Sequence, residues 1–274
     1  MNTTTLSPVI ERYNARVGSA NSLLCVGLDS DHTRLPARFA DHETPQFAFN
    51  RWIIEQTHEY ASAYKPNMAF YEARGSQGIH ELKLTLDYLR EHHPDILTVC
   101  DAKRADIGST NVGYVEAVFD TLGFDSITLH PYLGSEAMQP FLARADKGCI
   151  ILCRTSNPGA SEFQDLNVGG VPLWHRVAET VRDRWNANGN CMLVVGATYP
   201  EEMSTIREIV PEMPFLVPGI GAQGGDIQAT ISAGQDARGG GLIVSASRGV
   251  IFSDDPAAAA RQFRNEMNLY RLVV

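Results

Sequence analysis

No stretch of this chain approaches the roughly 18 consecutive apolar residues that a membrane-spanning helix needs. The opening Met1-Asn2-Thr3-Thr4-Thr5-Leu6 has neither the basic nor the apolar segment of a signal peptide. The expectation is a soluble, cytoplasmic protein. Positive charge is scarce: 23 lysines and arginines against 32 aspartates and glutamates give a net charge of −9. Nucleic-acid binders usually carry a basic face, so nucleic acid is not an expected partner. An anionic small molecule stays open, because a local field can oppose the net charge. The five cysteines, Cys25, Cys100, Cys149, Cys153 and Cys191, each lie in or beside an apolar run. Cys149 and Cys153 lack zinc-type spacing and nearby histidine partners, so the reading is buried, reduced thiols and no metal site. No motif for pyridoxal phosphate, thiamine or flavin is evident, and no cofactor is expected. No linker, low-complexity tract or block of charge marks a domain boundary.

Hydrophobic residues make up 44% of the 274, enough for a sizeable core. Short apolar runs recur at Leu23–Leu28, Ala61–Tyr64, Ile96–Cys100, Ser126–Leu129, Cys149–Cys153, Cys191–Val195, Phe215–Val217 and Leu242–Ala246. They are continuous rather than alternating, as in parallel strands covered on both faces. Helical spacing lies between them: Phe49, Trp52, Ile53 and Gln56; Leu82, Leu86 and Leu89; Tyr114, Ala117, Val118 and Leu122; Trp174, Val177, Ala178, Val181 and Trp185; Phe263, Met267 and Tyr270. This alternation predicts an α/β fold, a (β/α)8 TIM barrel in one domain over 1–274, with a helical extension at about 1–20. A doubly wound open sheet is the alternative.

In such a barrel, chemistry gathers where the strands end. The predicted strand ends carry Asp29, Lys65-Pro66-Asn67, Asp101 with Lys103, Arg154 to Gly159, Pro218 to Asp226, and Ser247-Arg248-Gly249. The densest signal is Val99-Cys100-Asp101-Ala102-Lys103-Arg104-Ala105-Asp106-Ile107-Gly108. There, opposite charges follow an apolar run, and residues two apart in a strand face the same side. A surface ion-pair strip would also explain it. Gly219, Gly221, Gly224 and Gly225 crowd the seventh loop, and Arg248 follows the eighth strand. Loops seven and eight form the usual phosphate site of this barrel, and arginine grips two phosphate oxygens. Glycine-rich tight turns with a solvated arginine are the bland alternative. Trp174 and Trp185 read as packing, His92 and His93 as solvated, and His130 as close to the rim.

These residues together resemble the orotidine 5′-phosphate decarboxylase family, and in length and Lys65-Pro66-Asn67 its longer bacterial branch. The resemblance spans about 22–250. Its signature is Asp101-x-Lys103-x-x-Asp106-Ile107, an element shared with wider sugar-phosphate decarboxylases and aldolases. Asp29, Lys65, Ser156-x-Pro158-Gly159-Ala160, Pro218-Gly219-Ile220-Gly221-x-Gln223-Gly224-Gly225-Asp226 and Arg248-Gly249 follow in the family's order. The resemblance implies a lyase of pyrimidine biosynthesis that decarboxylates orotidine 5′-monophosphate to uridine 5′-monophosphate and CO2. It implies a charge network of Lys65, Asp101, Lys103 and Asp106, with Lys103 donating a proton to C6 and Asp101 near the departing carboxylate. Asp29 and Lys65 would bind ribose hydroxyls, and Ser156 the pyrimidine edge. Gln223 would bridge base and phosphate, and Arg248 would hold the phosphate. Pro218, Gly219, Gly221, Gly224 and Gly249 complete the binding set. Asp106 and Thr110 would reach into the partner's site in a homodimer. The long fifth loop, Ser156 to Pro172, has Gly159, Gly169 and Gly170 and reads as a lid. Asn67 and Asn157 have no assigned role.

The chemistry fits the residue types. Loss of CO2 from C6 leaves a carbanion without an attached electron sink, so a protonated lysine serves as both cation and acid. Flanking carboxylates keep it charged. They disfavour a Schiff-base aldolase, which needs a lysine of lowered pKa. A Mg2+-dependent sugar-phosphate decarboxylase is the remaining enzymatic alternative. A catalytically silent nucleotide-binding module would have lost Lys103 or an aspartate partner, and neither is lost.

Overall fold

A computed structural model describes residues 6–220 and 225–272. Eight parallel strands close into a barrel: β1 Leu24–Gly27, β2 Ala63–Lys65, β3 Leu97–Arg104, β4 Ser126–Leu129, β5 Gly148–Arg154, β6 Cys191–Val195, β7 Phe215–Val217 and β8 Leu242–Ala246. The ring closes where Leu24, Cys25 and Val26 of β1 pair with Val244, Ser245 and Ala246 of β8. The eight runs read from the sequence are these eight strands. Their residues are buried on both faces because helices cover the outside and packed side chains fill the inside.

Two strands run past their expected ends, and both carry polar residues beyond the apolar run. β3 continues through Asp101 and Lys103 to Arg104, and β5 continues to Arg154. The expected last helix stops at Asn268, so Tyr270 lies beyond it. The helical extension is Pro8–Ala20, and residues 1–5 of the expected range lie outside the described residues. This helix closes the bottom of the barrel. The Tyr13 hydroxyl donates to the carbonyl of Leu242, and Arg12 pairs with Asp125. Among the described residues no helix is long and apolar enough to cross a membrane. All five cysteines are free and buried, as expected, and burial pushes the thiols of Cys25, Cys153 and Cys191 up to about 12. His92 is exposed as expected, but His93 is half-buried, its ring 4.5 Å from that of His58. Burial holds the His93 imidazole below its ordinary pKa.

The fifth loop is built rather than open. Pro158–Ala160 forms a 3-10 turn, Ser161–Gln164 a short helix, and Asn167–Val168 pairs antiparallel with Val171–Pro172. Gly169 and Gly170 take φ of 63° and 93°. Two positive φ values in a two-residue connection are what a hairpin turn requires, so these glycines serve a turn rather than a free hinge.

At the bottom of the barrel, Arg207 is 9% exposed and stacks 3.8 Å from the centre of the Phe215 ring. It donates to the carbonyls of Gly234 (2.8 Å), Val210 (3.0 Å), Pro211 (3.2 Å), Met213 (2.8 Å) and Gly241 (2.9 Å). Val210 O and Gly241 O also accept from the N–H groups of Met213 and Phe215, and the one guanidinium gathers all five carbonyls. Arg207→Met is expected to lower stability by about 3 kcal/mol, because buried acceptors lose their donor. Urea unfolding checks this, and an unchanged midpoint would contradict it.

Candidate active site

The upper ends of the strands enclose a cavity of about 330 Å3, and Lys65, Asp101, Lys103, Thr128, Ser156 and Asn157 line its polar side. Leu216 and Pro218 face them from the end of β7 and the loop after it. A larger, mostly apolar cavity of about 490 Å3 adjoins it through Leu152 and Thr155, between Tyr132 and the helix carrying Trp174. His130 lines that second cavity and not the first. The charged chemistry is concentrated in the smaller one.

Asp101 is its hub. One carboxylate oxygen accepts from Lys65 Nζ at 2.9 Å and Asn67 Nδ2 at 3.3 Å. The other accepts from Lys103 Nζ at 2.6 Å and Thr128 Oγ1 at 3.1 Å. The Asp101 side chain is 11% exposed, Lys65 7% and Lys103 51%. Burial alone would raise the Asp101 pKa, but Lys65 and Lys103 overcome it and hold the carboxyl well below its ordinary value. Burial alone would lower the Lys65 pKa, and Asp101 and Asp29 overcome that, holding the ammonium above its ordinary value. The backbone supports the pairing: Asp101 N–H donates to Pro66 O at 3.1 Å, and Met68 N–H to Asp101 O at 3.2 Å. Asn67, unassigned from the sequence, is thus a further donor to Asp101.

Lys103 reaches Asp101 by a route that strict strand alternation does not describe. Pairing of β3 with β4 shifts from Cys100↔Ile127 to Arg104↔Leu129, which leaves extra residues on β3. Lys103 has φ of 49° and Ala105 138°, both in the region that disfavours side chains. Thr128 Oγ1 holds this bulge by accepting the N–H groups of Ala102 and Lys103, each at 3.0 Å. Strain of this kind persists where surrounding bonds over-determine it. Thr128 gave no sequence signal, since a threonine in a buried strand reads as an ordinary β-former.

The other expected residues fall in three groups. Asp29 stands at the end of β1 with Oδ1 buried and without a hydrogen-bond partner among the described residues. Pro218 lines the cavity, Gly219 closes the base of the seventh loop by accepting from Gly225 N–H at 3.1 Å, and Arg248 and Gly249 are exposed at the start of Arg248–Ile251. Among the described residues Arg248 makes no ion pair. Gly221, Gln223 and Gly224 lie outside the described residues. Asp106 and Thr110 are both exposed. The Asp106 carboxylate accepts from the N–H of Ile107 at 2.6 Å, and within one chain it is not part of the Asp101 network.

A model of the "Orotidine 5′-phosphate decarboxylase / HUMPS family" matches residues 22–263. An orotidine 5′-phosphate decarboxylase of Cellvibrio japonicus is 46% identical over 271 residues, covering 96% of this chain and 98% of that one. The solved OMP decarboxylase of Leishmania donovani superposes with a TM-score of 0.87 at 40% identity, covering 98% of this chain and 100% of that one. The UMP synthase of the same organism superposes with a TM-score of 0.88 at 42% identity. There the match covers 97% of this chain but 57% of the other.

The shifts of Asp101 and Lys65 set the pH range over which the network holds. The Asp101 pKa is lower in the fold than in the unfolded chain, so its contribution is complete above about pH 5 and is lost as pH falls through the folded value. The Lys65 pKa is raised, so its contribution is complete below about pH 9 and fades as pH rises through the folded value. Asp101→Asn is expected to cost about 3 kcal/mol across that plateau. Urea midpoints should show the gap to wild type narrowing below about pH 4, and a gap unchanged at about pH 3 would contradict the assignment.

Proposed function

The chain belongs to the orotidine 5′-phosphate decarboxylase / HUMPS family and its reaction is the decarboxylation of orotidine 5′-monophosphate to uridine 5′-monophosphate and CO2; we propose that Lys103, held by Asp101, is its acid. The supporting observation is the Lys103 ammonium 2.6 Å from Asp101 Oδ1 at the mouth of the cavity. The C6–carboxylate bond breaks, its electron pair stays on C6, and CO2 departs. Lys103 stabilises that pair as a cation and delivers a proton to C6, then recovers one from solvent. No external electron sink is needed in this sequence, so the reaction runs without a cofactor.

Asp101 serves two ends in this reading. It aims Lys103, and it faces the substrate's own carboxylate, whose repulsion is relieved as CO2 leaves. Lys65 offsets the charge of Asp101 and, with Asp29, binds the ribose hydroxyls. The unpartnered Oδ1 of Asp29 supports that role, since a buried acceptor without a donor is costly. Ser156 reads the pyrimidine edge, and Gln223 bridges base and phosphate. Arg248 and the turns at Pro218, Gly219, Gly221, Gly224 and Gly249 take the phosphate. Binding energy at that remote end positions the reacting carbon. A Schiff-base aldolase is disfavoured because Lys65 is held in its charged form.

The site is completed by a second copy of the chain. Ile107 (54%) and Val112 (49%) are exposed apolar residues on the segment that carries Asp106 and Thr110, and Tyr132 (89%) and Leu133 (44%) are exposed just before helix 134–142. Helices 108–115 and 134–142 pack side by side. An apolar surface next to a carboxylate left out of the local network fits a homodimer in which Asp106 and Thr110 enter the partner's site.

One mixing experiment tests these roles. Lys103→Ala and Asp106→Ala proteins, each alone, should lose nearly all ultraviolet-detected turnover of orotidine 5′-monophosphate. Unfolded and refolded together, they should recover about a quarter of wild-type activity, because half the dimers then hold one intact site. EDTA should leave wild-type turnover unchanged. No recovery on mixing would contradict the shared site, and no wild-type turnover would contradict the reaction. Loss on chelation would favour a metal-dependent sugar-phosphate chemistry.

A further inference from the structure

Strand β5 ends on a deeply buried charge. Arg154 is 1% exposed. Its guanidinium pairs with Glu202 of Pro200–Ile209 and, at 3.1 Å, with Asp165 of the fifth loop. It also lies 4.0 Å from the centre of the Tyr199 ring. A guanidinium does not shed its proton on burial, so its carboxylates must stay with it. That requirement ties residues 164–165 of the fifth loop to the barrel wall.

Gln164 transmits the constraint inward. Its Oε1 accepts from Arg154 Nη1 at 3.5 Å and from the N–H of Thr155 at 2.9 Å. Its Nε2 donates to Thr155 Oγ1 at 2.8 Å, and that hydroxyl donates to Asn157 Oδ1 at 2.6 Å. Two donors converging on Oε1 fix which way round the amide sits. From the opposite side, Gly196 N–H donates to Arg154 O at 2.8 Å. A Cβ at Gly196 would come within 2.8 Å of Ser156 Cβ, so only glycine lets the chain after β6 press against Ser156. Thr155, Ser156 and Asn157 all line the catalytic cavity.

We propose that Arg154 and Gln164 are positioning residues for recognition of the base: from outside the cavity they set the edge 155–157 against the pyrimidine ring. The proposal rests on the reading of Ser156 as the residue that meets that ring. Gln164 bonds to the residue next to Ser156, whereas the phosphate residues stand on the loops after β7 and β8. Its removal therefore weakens contacts to the base and spares those to the sugar phosphate. The same arrangement gives Asn157 a part, as the end of the hydrogen-bond chain from Gln164.

The test compares two ligands by titration calorimetry: uridine 5′-monophosphate, which has the base, and ribose 5-phosphate, which lacks it. Gln164→Leu should weaken nucleotide binding and lower kcat/KM about 10- to 100-fold, the cost of misplacing a recognition element. Its affinity for ribose 5-phosphate should stay within about twofold of wild type, a difference too small to report a lost hydrogen bond. Gln164→Glu keeps the acceptor for Arg154 and Thr155 N–H and should recover most of the loss. Equal weakening of both ligands would overturn the proposal, as would no change in either. Wild-type protein that binds ribose 5-phosphate but neither binds nor produces uridine 5′-monophosphate would overturn the reading of the site as well.

Discussion

The carboxylate of Asp101 joins three neighbouring strands through side chains. Its donors come from the end of β2 (Lys65 and Asn67), from β3 itself (Lys103) and from β4 (Thr128). A carboxylate this deeply placed is costly unless it is fully paired, and an ammonium as buried as Lys65 is costly for the same reason. The two charges therefore depend on each other, and the depressed pKa of one and raised pKa of the other express that dependence. Lys103 is different. It is half exposed, bonded to the same carboxylate, and carried on strained backbone that Thr128 pins. The arrangement keeps one cation locked as counter-charge and leaves the other directed into the cavity.

The two rims of the barrel solve similar problems with different partners. At the bottom, Arg207 is surrounded by backbone carbonyls and serves to close loops. At the top, Arg154 is surrounded by the carboxylates of Glu202 and Asp165, and these tie a loop that borders the site. Carbonyl-bound cations stabilise wherever they lie. A carboxylate-bound cation at the catalytic rim also transmits position, because its partners sit on separate elements. This division matches the expectation that the N-terminal face of such a barrel serves stability and the C-terminal face serves chemistry.

Most of the framework was legible in the sequence because the strands are buried on both faces and so appear as unbroken apolar runs. Asp101 and Lys103 were legible because charges adjoining such a run are conspicuous. Thr128, Asn67 and Gln164 were not. They act through hydrogen bonds at places that only the closed barrel defines, and as residue types they suit any strand or turn. Alternation in β3 led to the correct pairing of Asp101 with Lys103, though a bulge rather than a regular pleat achieves it. Gly169 and Gly170, on the loop read as a lid, form the two-residue turn of a hairpin, a detail that paired glycines alone do not specify. Asp106 is exposed and stands outside the Asp101 network within one chain, so its expected place in a charge network rests on the proposed second copy.

Everything in the proposed reaction turns on Asp101 fixing Lys103 as the group that moves a proton at C6. Exchange of the C6 hydrogen of uridine 5′-monophosphate with deuterium from solvent isolates that claim, since this ligand has no carboxylate to lose and no repulsion to relieve. Measurable exchange is expected in the wild-type protein, slower exchange in Asp101→Asn, where Lys103 is no longer held, and none in Lys103→Ala. Exchange at the wild-type rate in Lys103→Ala would contradict it.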